Sequence, residues 1–399
     1  MLTPEQALYG ELLLVVAAFV AALARGVGIP FLIALAVGGI AESDVLPRSL
    51  HIELSPPILG LFLPALIFEA AWNIDRRALL RATLPIVALA VPGTLVTAAF
   101  VGGAALLAGV PALPAFVLGA IVGATDPVAV LALFRQLGLP AGLRTIVEGE
   151  SIVNDGVAAE LAGALIAGAV GGSVAYGALG VAGSMLLEAA GGILAGVAVA
   201  FPAGFLLQRT RGAWVGSVVT LVAAYGSYAL AGEFRCSGIF ASAAAGVGAR
   251  LFASPGLDEG ARHDAIERFW EIVAFIANAA VFYLIGLSLK LSDVLDVPGV
   301  IVLTLIATFA SRALLSYALL PARWLAGGRP WRHAIALSGM RGGLSLALAL
   351  GLPAAMPART AVVDATFVIV FVTLIVQGTI LPPILRRLKL RPKAIETAA

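Results

Sequence analysis

The chain has 399 residues, of which 61% are hydrophobic and only 12% are charged, and its formal net charge is +2. A soluble domain carries about 25% charged residues, so this composition excludes an ordinary soluble enzyme or binding domain. It predicts an all-α polytopic membrane protein, because a lipid-exposed span must satisfy its own backbone hydrogen bonds. The basic residues form no concentrated patch, so no nucleic-acid partner is expected.

Thirteen apolar segments are long enough to cross a lipid bilayer, which takes about 20 residues. They cover residues 9–27, 29–46, 55–73, 83–109, 112–134, 146–170, 176–207, 213–232, 235–252, 269–289, 298–320, 333–352 and 362–385. With the N-terminus outside and the C-terminus in the cytoplasm, 19 of the 25 Lys and Arg residues fall in cytoplasmic loops and four fall outside. We therefore expect a multi-pass protein of the cell (inner) membrane in this orientation.

The odd number of spans predicts two inverted six-helix repeats, at residues 1–172 and 211–399, joined by a connecting span at residues 173–210. In this plan the fifth span, interrupted at Thr125-Asp126-Pro127, corresponds to the twelfth, interrupted at GMRGGLS. Both spans hold a helix breaker and a charge. Corresponding interrupted spans are the best sequence indication of a binding site in a transporter, and we expect these two discontinuous helices to cross.

The interruption in the fifth span offers oxygen ligands. Pro127 removes a backbone donor and disfavours helix at the residue before it, which frees carbonyl groups beside the Thr125 hydroxyl and the Asp126 carboxylate. Such oxygens suit a small monovalent cation, and Asp126 would also suit a positive half-helix N-terminus. A proline kink alone is common in membrane helices, but an aspartate in an apolar segment favours a functional role.

The sixth span carries the sequence EGESIVNDG. At about 100° per residue, Glu148, Ser151 and Asp155 share one helix face, and Glu150 and Asn154 lie beside it. Neighbouring carboxylates cannot all be ionised at low cost, so this group can hold a proton or a cation but hardly both, and that competition is the basis of exchange. Asp155 is therefore interpreted as functional. Glu148 and Glu150 can also be interpreted as interfacial charges or partners of an arginine, and for Glu150 this interpretation is favoured over direct cation binding.

Three more charged residues fall in spans. Glu69, near the cytoplasmic end of the third span, is either a further carboxylate at the cation site or an interfacial residue. Arg341 needs a carboxylate or half-helix carbonyl groups as its partner, and we predict that it pairs with Glu150 or Asp126 while offsetting a half-helix C-terminus. Arg312 is interpreted in the same way.

Together these motifs resemble the monovalent cation:proton antiporter-1 family of sodium/proton exchangers. The resemblance rests on Thr-Asp-Pro in a broken fifth span, EGESIVNDG in the sixth, LIFEA in the third and MRGGLSLALAL in the twelfth. It covers almost the whole chain in order. It implies thirteen spans, a core of spans four to six and eleven to thirteen, a dimerisation domain made from the others, and hence a homodimer.

The resemblance also implies roles for residues at matching positions. The residues expected to bind the cation and the proton, and so to form the Na+ site, are Asp155, Asp126, Thr125, Ser151 and Glu69. Those expected to support the site are Asn154, Glu150, Arg341, Glu148 and Arg312. Within these sets, Asp155 carries either ion, Glu150 pairs with Arg341, and Asn154 braces the site.

The implied function is secondary active antiport without a cofactor, in which Na+, Li+ or K+ is exchanged for H+ by alternating access, serving sodium transport and pH homeostasis. The Asn154-Asp155 pair, rather than two aspartates, resembles the electroneutral branch that exchanges one cation for one proton. Three alternatives stay open. The first is a cation-coupled organic-anion symporter of similar architecture, which would need a larger polar cavity, and the second is an intramembrane aspartyl enzyme using Asp126 and Asp155. The third is a channel or sensor, and a channel would show uncoupled current rather than proton-linked flux.

Overall fold

The computed structural model describes residues 31–43, 56–169, 178–210, 212–253, 261–288, 294, 296–388 and 390. Fourteen α-helices make up most of these residues, among which there is no β-strand. The helices are α1 Phe31–Ser43, α2 Pro56–Asn73, α3 Arg76–Leu107, α4 Ala112–Gly123, α5 Val128–Gln136, α6 Ala141–Ala169, α7 Ala178–Arg209, α8 Ala213–Glu233, α9 Gly238–Ala253, α10 Ala261–Ser288, α11 Pro298–Leu314, α12 Gly328–Leu337, α13 Gly343–Leu350 and α14 Arg359–Arg387.

These helices follow the spans predicted from the sequence. Spans two to thirteen each fall on one helix or on two half-helices. The first predicted span, at residues 9–27, lies outside the described residues, so the count of thirteen stays a prediction. The described helices that are long and apolar enough to cross a membrane, by length and composition, lie at Arg77–Leu107, Gly180–Arg209, Ala213–Glu233, Pro298–Leu319 and Arg359–Arg387.

Both predicted interruptions are confirmed. The fifth span consists of α4 and α5, which are separated by residues 124–127, and the twelfth consists of α12 and α13, which are separated by residues 338–342. The eleventh span contains a feature that the sequence did not predict, since α11 continues into a π-helical turn at Leu315–Leu319.

The chain divides into two compact units, each assembled from separate stretches of sequence. The first unit comprises residues 1–73, 170–296 and 346–354, and the second comprises residues 74–169, 297–345 and 355–399. Apart from the end of α13, the second unit holds spans four to six and eleven to thirteen, which is the grouping that the resemblance implies for the core. The predicted inverted repeats, at residues 1–172 and 211–399, are a different division of the chain from these two units. They stay a prediction.

Small residues set the distance between helices in the first unit. Where α7 meets α9, a Cβ atom on Gly192 or Gly196 would overlap the backbone carbonyl groups of Ser237 and Ala241. The two helix backbones are therefore in direct contact. Close approach of this kind is how helices pack where no hydrophobic driving force exists between them.

The second unit holds its half-helix α4 tightly. Helix α3 packs against α4, α6 and α11, and a Cβ atom on Gly119 of α4 would overlap the backbone of Ala98 in α3. The start of α3 is fixed by Asp75, whose carboxylate accepts a hydrogen bond of 2.9 Å from the Ala78 N–H and so satisfies one free donor of the first turn. The end of α4, where the first interruption begins, is thus anchored in the unit.

We expect the close contact between α7 and α9 to make Gly196→Ala destabilising. The added methyl group would force the backbones apart, at a cost of about 1–3 kcal/mol in the free energy of unfolding. Gly183→Ala on the same helix is the matched control, since its Cβ atom would meet nothing within 4 Å and alanine favours helix. Thermal unfolding of the two purified variants tests this, and equal melting temperatures would contradict the contact.

Candidate functional site

The first helix interruption is capped by its own aspartate. Asp126 Oδ1 accepts a hydrogen bond of 2.9 Å from the Val128 N–H, at the first turn of α5. The backbone N–H of Gly343, the first residue of α13, also hydrogen-bonds this carboxylate. One negative charge therefore lies at the positive ends of two half-helices, where it is stabilised. The prediction that Asp126 faces a half-helix N-terminus is confirmed.

The second interruption lies directly against the first. The Asp126 N–H donates to the carbonyl group of Met340 at 2.9 Å. Arg341, whose side chain is buried, donates through Nη1 to the carbonyl groups of Gly123 and Ala124, each at 3.3 Å. A positive charge therefore lies at the C-terminal end of α4, where the carbonyl groups point outward without helical partners. This confirms the predicted role of Arg341 at a half-helix C-terminus.

Helix α6 holds the first interruption through three buried hydrogen bonds to one residue. The Ser151 hydroxyl donates to the carbonyl oxygen of Thr125 at 2.6 Å. The Asn154 amide donates to the Thr125 hydroxyl at 2.7 Å, and its oxygen accepts from the Thr125 N–H at 3.3 Å. The Asn154 side chain therefore bonds both the hydroxyl and the backbone of Thr125. These two bonds are the bracing that the resemblance implies for Asn154.

Asp155 follows Asn154 on the same helix, and its carboxylate accepts a hydrogen bond from the backbone N–H of Thr125. Its Oδ1 atom is buried and has no hydrogen-bond partner among the described residues. The charged groups that act on this carboxylate are Asp126 and Arg341. A buried carboxylate oxygen that no donor satisfies is costly, unless a proton or a cation occupies it.

The structure corrects the predicted partner of Glu150. Its two carboxylate oxygens bind the guanidinium group of Arg312, through Nη1 to Oε1 and through Nη2 to Oε2, the second bond being 3.0 Å long. Arg312 Nη2 also donates to the carbonyl group of Ile335 at 2.9 Å, near the end of α12. The predicted pairing of Glu150 with Arg341 is therefore wrong, because the guanidinium group of Arg341 is used at the end of α4.

The remaining predicted site residues lie in different places. Glu148 is buried in α6 in the second unit. Glu69 belongs to the first unit, where its Oε1 accepts a hydrogen bond of 2.7 Å from the Asn73 amide. The structure thus brings together Thr125, Asp126, Ser151, Asn154 and Asp155, while the place of Glu69 at a cation site stays a prediction.

Helix α14 contributes buried polar residues that the sequence analysis missed. The Thr373 hydroxyl accepts a hydrogen bond of 3.2 Å from the Arg341 N–H, in the second interruption. Asp364, on the same helix, is only 4% exposed. The rule that singled out Asp155, a carboxylate within an apolar span, applies equally to Asp364 and could have found it.

The arrangement can bind a small hard cation. A carbonyl oxygen and a hydroxyl oxygen each have two lone pairs, so the Thr125 carbonyl and the Ser151 hydroxyl can still accept a ligand while bonded to each other. With the Asp155 carboxylate they form a set of oxygens, the ligands that hard cations prefer. No cluster of three or more His, Cys, Asp or Glu residues that could hold a metal ion is found in the described part of the chain.

The chain is similar to known proteins along most of its length. Residues 14–387 match the family model of the transmembrane sodium/hydrogen exchangers. The chain is 35% identical over 369 residues to the Na+/H+ antiporter ApNhaP of Aphanothece halophytica, covering 91% of this chain and 70% of that protein. It is 33% identical over 390 residues to the low-affinity Na+/H+ antiporter NhaS1 of Synechocystis, covering 93% of this chain and 72% of that protein.

The fold is also similar to that of a solved structure. The sodium proton antiporter MjNhaP1 from Methanocaldococcus jannaschii, determined at pH 8, superimposes with a TM-score of 0.77, covering 97% of this chain and 99% of that one. At 19% sequence identity, this likeness concerns the fold alone.

We expect a double-mutant cycle to find strong coupling between Glu150 and Arg312. Arg312→Met alone leaves a buried carboxylate unpaired, which costs about 3–5 kcal/mol in the free energy of unfolding, and Glu150→Gln should recover a large part of that loss. The matched cycle combines Glu150→Gln with Arg341→Met and should give a smaller coupling energy. Thermal or denaturant unfolding in detergent measures both cycles, and the reverse order of coupling energies would contradict the assigned pair.

Gly342→Ala is expected to disrupt the meeting point of the two interruptions. A Cβ atom at this position would overlap the carboxyl group of Asp126. The carboxyl group would then have to move away from the N-termini of α5 and α13. We expect the free energy of unfolding to fall by about 1–3 kcal/mol. We also expect transport to be lost. Gly163→Ala in α6 is the control, because its Cβ atom meets nothing within 4 Å. A fully stable and active Gly342→Ala protein would argue against the described contact.

Proposed function

The chain belongs to the sodium/hydrogen exchanger family, and from this premise we propose that it exchanges a monovalent cation for a proton at Asp155. It is a secondary transporter and not an enzyme. The observation that carries the proposal is the buried Oδ1 atom of Asp155, which has no hydrogen-bond partner among the described residues and lies beside the braced Thr125. The neighbouring oxygens of Thr125 and Ser151 support a cation at this carboxylate.

Competition for one carboxylate accounts for the coupling between the two ions. When Asp155 is ionised, it can bind a cation together with the neighbouring carbonyl and hydroxyl oxygens. When it takes a proton, it loses the negative charge that attracts the cation. The site therefore carries one ion or the other, and exposing it to one side of the membrane at a time produces exchange.

The hydrogen bonds around the site support a stoichiometry of one cation for one proton. Asn154 carries no titratable proton and is fully used in holding Thr125. Asp126 is committed to two helix N-termini, and Glu150 is committed to Arg312. Asp155 is thus the carboxylate in this group that keeps a buried oxygen without a partner among the described residues, and a single such group favours electroneutral exchange.

The names of the relatives support one choice of cation. The curated antiporters that resemble this chain are named for Na+ and H+, so we propose Na+ as the transported cation, with Li+ and K+ as the other candidates. We further propose a homodimer in the cell membrane with its C-terminus in the cytoplasm. Glu69 is proposed as an additional cation ligand.

The aspartyl enzyme and the organic-anion symporter gain no support as alternative functions. An aspartyl enzyme would need Asp126 to act on a substrate together with Asp155, but Asp126 is occupied by backbone N–H groups at two half-helix ends. An organic-anion symporter would need positive groups that are free to bind substrate. Arg312 and Arg341 are instead engaged with Glu150 and with the carbonyl groups at the end of α4.

Asp155→Asn is expected to abolish exchange while leaving the fold intact. The amide is nearly isosteric with the carboxyl group but neither ionises nor takes up a proton at this position. Purified protein in liposomes with an internal pH-sensitive dye, subjected to Na+, Li+ or K+ gradients, measures the flux. Asp264→Asn, which changes an exposed carboxylate at the start of α10, is the control and should retain exchange. Exchange retained in a folded Asp155→Asn protein would overturn the assignment.

The same liposomes test the stoichiometry. With the membrane voltage clamped by a potassium ionophore and matched K+ concentrations, electroneutral exchange should continue at an unchanged rate. A rate that depends on voltage, or flux that charges the membrane, would keep the antiporter but would reject the one-for-one exchange.

A further inference from the structure

A chain of hydrogen bonds crosses the second unit from α6 to α14 and passes through both helix interruptions. It begins where the Ser151 hydroxyl donates to the carbonyl oxygen of Thr125 at 2.6 Å. That carbonyl belongs to the same peptide group as the Asp126 N–H, which donates to the carbonyl oxygen of Met340 at 2.9 Å. The first half of the chain therefore connects the Thr125 carbonyl, a proposed cation ligand, to the second interruption.

The second half of this hydrogen-bond chain ends on α14. The Met340 carbonyl shares its peptide group with the Arg341 N–H, which donates to the Thr373 hydroxyl at 3.2 Å. Thr373 in turn donates to the carbonyl oxygen of Val370, one turn earlier on α14, at 3.0 Å. Thr373 is fully buried. Its hydroxyl therefore accepts from the second interruption and donates into a continuous helix.

The four hydrogen bonds all run in the same direction. A trans peptide group directs its C=O and its N–H to opposite sides, so each of the two peptide groups accepts a bond on one side and donates one on the other. In such a chain each bond polarises its neighbours and strengthens them. Donation by the Asp126 N–H makes the Thr125 carbonyl oxygen of the same peptide group more negative. A more negative oxygen is a better ligand for a small cation.

We propose that Thr373 is a positioning residue for the transported cation and acts on the Thr125 carbonyl through the two peptide groups. Thr373 fixes the N–H end of the Met340–Arg341 peptide group, which keeps the opposite end, the Met340 carbonyl, directed at the Asp126 N–H. This inference rests on the proposed exchange function, in which the Thr125 oxygen binds the cation. It adds a contribution of α14 to cation affinity.

The hydroxyl of Thr373 can be removed without removing any proposed cation ligand. Ser151, at the other end of the hydrogen-bond chain, is itself a proposed ligand, so its substitution would not separate positioning from binding. Thr373 contacts Arg341 through the backbone N–H, whereas the Arg341 guanidinium group binds the carbonyl groups at the end of α4. A substitution at Thr373 therefore leaves the partners of the guanidinium group in place.

Proton flux driven by Na+ in liposomes tests this role. Thr373→Val replaces the hydroxyl by a methyl group of similar size and leaves the Arg341 N–H without its acceptor. We expect the half-saturating Na+ concentration to rise about two- to threefold, less than the roughly fivefold change for one whole hydrogen bond, because the effect reaches the cation through two peptide groups. The maximal rate per folded protein should stay unchanged. Thr373→Ser keeps the hydroxyl and should restore the wild-type value.

Thr366→Val is the matched control on the same helix. Thr366 is also fully buried, but its hydroxyl donates to the carbonyl oxygen of Val362 within α14, at 2.7 Å. This variant should keep the wild-type half-saturating Na+ concentration. A role of Thr373 in stability alone would lower the melting temperature of Thr373→Val and leave its half-saturating concentration unchanged, and that result would overturn the inference. An equal rise in Thr366→Val would overturn it as well.

Failure of the positioning role can be told apart from failure of the proposed function. Wild-type protein that shows no cation-driven proton flux rejects the exchange function and with it the role of Thr373. Wild-type exchange with the same half-saturating Na+ concentration in Thr373→Val rejects the positioning role alone. If Thr373→Val does not fold, Thr373→Cys takes its place, because a thiol is a weaker acceptor than a hydroxyl. Its half-saturating concentration should exceed that of Thr373→Ser, and equal values would overturn the inference.

Discussion

The second unit depends on one constraint, which is that two helices are interrupted inside an apolar protein and their free backbone groups must be satisfied. Each interruption leaves outward-pointing carbonyl groups on one side and N–H groups on the other. The structure meets this need by placing the two interruptions in contact and adding side-chain charges of the appropriate sign. Arg341 binds the carbonyl groups at the end of α4, Arg312 binds one near the end of α12, and Asp126 caps the starts of α5 and α13.

This compensation explains why the charged residues of the unit have such different roles. An arginine within a membrane span is costly unless carboxylates or carbonyl groups surround it, and both arginines have such partners. Glu150 is occupied by Arg312, and Asp126 by backbone N–H groups. Once these structural needs are met, the Asp155 carboxylate has a buried oxygen without a protein partner in the described residues. The proposed exchange is therefore placed at this carboxylate.

The sequence was sufficient for the apolar segments and for the two helix interruptions, because both depend on local patterns. Apolar segment lengths placed spans two to thirteen, and Thr125-Asp126-Pro127 marked the first interruption because proline and aspartate are both unfavourable within an apolar helix. It was insufficient for contacts between helices. Helical periodicity places Glu150 on a face of α6 but carries no information on which of two arginines, Arg312 or Arg341, reaches it. The contact of Thr373 with the second interruption was missed for the same reason, since threonine is unremarkable in an apolar helix.

The use of asparagine at position 154 separates the scaffold from the chemistry. An amide does not titrate, so Asn154 keeps both its donor and its acceptor for Thr125 at every pH. A carboxylate at position 154 could not donate to the Thr125 hydroxyl when ionised, and it would add a like charge beside Asp155. The geometry of the interruption would then change with protonation of the site. With asparagine, the bonds that hold Thr125 do not depend on a titratable group at position 154, which is consistent with the proposal that Asp155 alone exchanges a proton for a cation.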